Sequence, residues 1–139
     1  MQARAEYGCL AMLELARNYA HGEILQIRRI ADEHNIPQPF LLQVMQDLKR
    51  SGLVASTRGA AGGYRISRDP IDISLADIID AFECDAAPKP NEQTTSPIRK
   101  LLHNLYAEAD AAKRKVLTET TLDDLVDSLA MQAEPTWHI

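Results

Sequence analysis

Cysteine is scarce in this chain of 139 residues, with two, at positions 9 and 84. A modest core must therefore form without disulfides or metal staples, and a reducing cytosol is the expected compartment. Long apolar runs are also missing. Nothing approaches the roughly 18 to 20 residues that a membrane span needs, so no membrane partner is expected. No basic segment leads into a hydrophobic one near the N-terminus, which leaves a secretory signal without support and points to a cytoplasmic protein. Internal repeats and low-complexity tracts are lacking. So are a glycine-rich phosphate cradle, carboxylates paired in a recognisable cleft, and a nucleophile beside a base. An enzyme is therefore the weakest of the available classes.

Positive charge is in deficit as well, with a net charge of −5, which argues against a general nucleic-acid binder until the charge is divided by region. Residues 1–68 carry nine Lys or Arg against six Asp or Glu, a net of +3, whereas residues 69–139 carry six against fourteen, a net of −8. The basic excess sits in the amino-terminal half, where a phosphate partner would dock.

What is present is helical periodicity followed by a hairpin. Residues 3–20 carry Tyr7, Leu10, Ala11, Met12, Leu13 and Leu15 at helical spacing. A short second helix with Ile27, Ile30 and Ala31 ends near His34, because Pro37 disfavours helix at Ile36. The third segment, QPFLLQVMQDLKRSG, places Leu41, Val44, Met45 and Leu48 on one stripe and is stopped by Gly52. LVAS, RGAAGG and YRIS then read as strand, loop and strand. Helix, turn, helix and hairpin in that order predict a mainly α fold with a small β-hairpin wing, a winged helix-turn-helix. Ser74 and Asp77 resemble a capping signal ahead of Leu75, Ile78, Ile79 and Phe82, a short helix that closes a domain over residues 1–83.

Residues 84–97, CDAAPKPNEQTTSP, lack periodicity and read as a linker loop. Beyond it a long helix carries Ile98, Leu101, Leu102, Leu105, Ala109, Ala112 and Val116 on one stripe, which needs another surface to cover it. A final short helix near TLDDLVDSLA completes a unit over residues 98–130, and the tail 131–139, ending in Trp137, His138 and Ile139, is expected to be poorly ordered.

The stretch TRGAAGGYRIS assigns the wing a purpose. Gly59, Gly62 and Gly63 allow a sharp turn and close backbone approach ahead of Tyr64, and Arg58 projects from the base of the loop, where a minor groove or phosphate would attract it. The third helix, once its stripe is turned inward, leaves Gln38, Pro39, Leu42, Gln43, Gln46, Lys49 and Arg50 to face outward. Glutamine presents a donor and an acceptor together to adenine, leucine touches a thymine methyl, and the cations pair with phosphate. Arg28 and Arg29, opening the second helix, are further phosphate clamps in this reading.

Residues 4–83, through EYGCLAMLELA, IADEHNIPQPFLLQVMQDLKRSGLVASTRGAAGGYRIS and ISLADIIDAFE, resemble the Rrf-two family of bacterial winged-helix transcription regulators, with LKRSGLVASTRGAAGGY as the specific part. The resemblance implies a homodimeric transcription regulator, and repression is the expected direction. Its long helix would cross its partner, and its recognition helices would enter successive major grooves of a pseudo-palindromic operator in double-stranded DNA. Many members hold an iron-sulfur cluster on three closely spaced cysteines in the loop before the dimer helix. The corresponding loop here has only Cys84, so no cofactor is expected. Some members use non-cysteine ligands, and Glu6 and His103 stand at about those places, so Cys84, His103 and Glu6 remain residual candidates for a mixed site. Two other readings stay open: an iron-sulfur or thiol-based redox sensor of the same family, and a winged-helix protein-interaction adaptor. A regulatory protein or small effector is a further open partner.

Overall fold

The first segment is apolar on more than one stripe, and it becomes the helix around which the rest packs. The computed structural model describes residues 1–83 and 96–133, so the linker around Cys84 and the end of the tail lie outside it. Helix α1 (Ala3–Arg17) buries Ala5, Cys9, Ala11, Met12 and Leu15. It stops short of residue 20 because the Asn18 side chain turns back to donate to the Glu14 carbonyl at 2.8 Å, and a 3-10 turn over Tyr19–His21 then closes on Gly22 in the left-handed region.

Helix α2 (Ile27–His34) and helix α3 (Gln38–Arg50) are joined by three residues. Asn35 takes φ of 53°, a conformation asparagine tolerates better than most residues, and the Ile36 amide donates to the Ala31 carbonyl at 3.0 Å. Pro37 then opens α3. The stripe Leu41, Val44, Met45 and Leu48 is wholly inaccessible to solvent. Each such side chain contributes about 1.5–3 kcal/mol on leaving water, so the inner stripe holds α3 and its outer face is left for other work.

Strand β1 (Val54–Thr57) pairs antiparallel with β2 (Gly63–Ile66), with Val54 opposite Ile66 and Thr57 opposite Gly63. On the other edge of β2, Leu25 pairs with Tyr64 through two backbone bonds of 2.9 and 2.8 Å. The chain entering α2 is thereby stitched to the wing. Helix α4 (Leu75–Asp80) begins with a full capping box between Ser74 and Asp77, as its sequence suggested.

Helix α5 (Pro97–Glu119) has Ser96 as its N-cap and, at 23 residues, extends about 34 Å. None of its residues is buried. Helix α6 (Leu122–Ala133) follows the long helix in the chain. It packs on α1, and Leu122 is fully enclosed in the same core as Met12 and Leu48. Its apolar positions require burial, and the face of α1 that it packs against supplies it. No described helix is long and apolar enough to cross a membrane.

Candidate nucleic-acid interface

Solvent reaches every outward position proposed for α3: Gln38, Pro39, Leu42, Gln43, Gln46, Lys49 and Arg50 are all exposed, Leu42 at 43% despite being apolar. Arg28 and Arg29 are exposed on α2, and Arg58 and Gly59 on the wing loop. The Gln26 side chain reaches the Ala60 carbonyl at 3.5 Å, linking the start of α2 to that loop. One surface thus gathers the recognition helix, the basic start of α2 and the wing.

Not every predicted contact residue stands free on it. Gly62 is buried, and a Cβ there would lie 2.2 Å from the Thr57 carbonyl oxygen. Gly63 and Tyr64 are half-buried, and Tyr64 packs against the core. These three shape the wing from within, because the loop must fold back over Thr57 and lie against Leu25. Gly59 alone of the wing glycines needs positive φ, at 110°.

The cations divide by the partners they already hold. The Lys49 Nζ donates to Ser56 Oγ at 2.6 Å, tying the end of α3 to β1. Arg50 lies 3.1 Å from one oxygen of Asp47, whose other oxygen is 2.6 Å from Arg4 on α1, so Arg50 is partly neutralised where it stands. Arg28 makes only a loose 4.0 Å pair with Asp32. Among the described residues Arg29 and Arg58 have no such partner, and they are the guanidinium groups best placed to meet a phosphate.

Behind the interface, Glu14 is a buried acid, 8% exposed, whose Oε1 lies 3.1 Å from both Arg17 and the His34 Nε2. This ties α1 to the last turn of α2. Glu14, Glu33 and His34 each bring a ligand atom within 4.8 Å of the others, but the buried oxygen already accepts from two donors. Local pattern could not reveal the pairing, since Glu14 and His34 are 20 residues apart.

The donors suggested for a mixed cluster site lie on separate segments of the chain. Glu6 is exposed in the first turn of α1, His103 is exposed on α5, and Cys84 lies outside the described residues. Cys9 is buried, and desolvation, followed by the charges of Glu6 and Glu83, pushes its thiol up to about 11. It is neutral near pH 7 and poor as ligand or nucleophile. Alkylation of the folded protein is expected to spare Cys9 in peptide mass mapping, with modification appearing only in denaturant. Rapid native labelling of that peptide would contradict its enclosure.

A helical pair packed through one stripe, an outward amide- and cation-bearing face and a glycine-shaped hairpin beside it define a winged helix-turn-helix DNA-binding protein. The chain belongs to the Rrf2 family of transcriptional regulators: the family model, described as an iron-dependent transcriptional regulator, matches residues 1–128. It is 32% identical over 125 residues to the HTH-type transcriptional regulator CymR of Bacillus subtilis (strain 168), covering 90% of this chain and 88% of the relative. Among solved structures it is similar to the IscR of T. potens, with a TM-score of 0.82 and 27% identity over 96% of this chain and 90% of that one. The structure of CymR, the global cysteine regulator of B. subtilis, gives a TM-score of 0.80 at 30% identity, covering 92% and 96%. The protein is a DNA-binding transcription regulator.

Proposed function

We propose that the protein is a cytoplasmic homodimeric repressor that places two copies of α3 in successive major grooves of a pseudo-palindromic operator. Its role is regulatory rather than catalytic. The observation that carries this reading is α5: Ile98, Leu101, Leu102, Leu105, Ala109, Ala112 and Val116 form one stripe, and all seven are exposed. Its large members are 61–73% exposed, an apolar strip that a second copy of the same helix would cover. The exposed amides of Gln38, Gln43 and Gln46 read base edges, Leu42 contacts a thymine methyl, and Arg28, Arg29 and Arg58 meet phosphates and the minor groove.

Regulation in this reading does not run through a three-cysteine iron-sulfur cluster. Such clusters need thiolates, and of the two cysteines one is buried and protonated. The residues present do not fit the group.

Selection of bound duplexes from a random pool tests the proposal, using protein purified anaerobically, which should be colourless and should bind the selected operator. Gln43→Ala is expected to relax base preference at one position in each half-site, at about 1–3 kcal/mol per lost contact. Lys49→Ala should weaken binding to all sequences alike, and Ser56→Ala controls for the lost α3–β1 tie. Indistinguishable losses for Gln43→Ala and Lys49→Ala would refute this division between base reading and phosphate contact.

A further inference from the structure

Among the described residues, two sets of hydrogen bonds tie helix α5 to the DNA-binding domain. At its C-terminal end the backbone is stitched down: the Leu75 amide donates to the Thr120 carbonyl at 2.8 Å, and the Leu122 amide to the Ile73 carbonyl at 2.9 Å. Six residues earlier, both terminal nitrogens of Arg114 donate to the two carboxylate oxygens of Asp80 on α4, each at 2.6 Å. Ile79 and Leu117 line the seam beneath this fork.

A rod held at one end swings about it, whereas a second point about 9 Å further along defines its direction. Leu101, in the exposed stripe, lies nineteen residues from Thr120, or about 28 Å. A change of about 10° at the base would therefore carry Leu101 about 5 Å, more than the rise of one base pair. The guanidinium fork suits this task, because two parallel bonds to a carboxylate fix an angle that a lysine point charge does not. Hydrogen bonding to Arg114 holds the Asp80 carboxyl below the usual carboxylate range, against a smaller opposing effect of desolvation. Both side chains are just over two-fifths exposed, so the pair adds little to folding stability and its loss should leave the domain intact.

We propose that Asp80 and Arg114 are positioning residues that set the half-site separation accepted by the dimer. The inference rests on the homodimeric operator reading. Its test uses the full chain and a series of duplexes carrying the selected half-sites, with the central spacing altered by one and two base pairs in either direction. Wild-type protein should show a sharp spacing optimum. Asp80→Asn and Arg114→Lys should remain dimeric in sedimentation and bind an isolated half-site as wild type does, yet their penalty for misspacing should fall by about fivefold, the factor equivalent to a weak ion pair. If both variants keep the wild-type spacing profile, the positioning role is overturned while the dimeric reading stands. A monomeric wild type, or one indifferent to spacing, would overturn the dimeric reading and this inference with it.

Discussion

Leu105→Glu is expected to yield a folded monomer whose affinity for the full operator is lower by about two orders of magnitude or more. Leu105 is 62% exposed and contributes nothing to the core, so thermal unfolding of the isolated chain should barely change. In a paired α5 the same position would be covered, and an unpaired carboxylate there would cost several kcal/mol in desolvation. Two linked half-sites gain because the second engagement is intramolecular, an advantage of roughly 10²- to 10⁴-fold that a monomer forfeits. Sedimentation equilibrium and operator titration measure the two halves of the effect. Affinity for a single half-site should stay unchanged, since α3 and the wing are untouched. A variant that sediments as a dimer would show that the stripe is not the interface.

What could be read from the sequence was whatever repeats locally. Leu41, Val44, Met45 and Leu48 recur at helical spacing, so both the buried stripe of α3 and its outward glutamines follow from one segment. Ser74 with Asp77 marks a helix start by chemistry acting over three residues. The long-range ion pairs were silent for the opposite reason. Asp47 is reached by Arg4 from 43 residues away, and Asp80 by Arg114 from 34, and no periodicity links such positions. The same holds for Lys49, which spacing identifies as an outward cation but which leans on Ser56 of the strand that follows. The destination of α6 was illegible too: an amphipathic pattern states that a face will be covered, not which helix covers it. The interface residues were thus legible as a face, while their partners depended on how distant segments pack.

The wing glycines show the same division, and they yield the second large effect. Gly59→Ala meets open space but must hold φ of 110°, so its cost is backbone strain of about 1–2 kcal/mol. Gly63→Val faces a different obstacle. A Cβ there would lie 2.4 Å from the Leu25 carbonyl oxygen and 2.8 Å from its carbon, main-chain atoms that cannot swing aside as a side-chain tip can. Strand β2 must retreat, and the two Leu25–Tyr64 bonds that join it to the approach to α2 are lost. Those bonds at about 0.5–1.5 kcal/mol each, together with about 1–3 kcal/mol for overpacking, give a destabilisation of about 2–6 kcal/mol. The melting temperature should therefore fall by about 10 °C or more, well beyond the effect of Gly59→Ala, in a comparison of the two variants by calorimetry. At a temperature where both are folded, operator affinity should also drop more for Gly63→Val, because the displaced strand carries the wing loop away from α3. Equal melting temperatures for the two variants would mean that the wing does not need the close approach to Leu25 on which its placement beside the recognition helix depends.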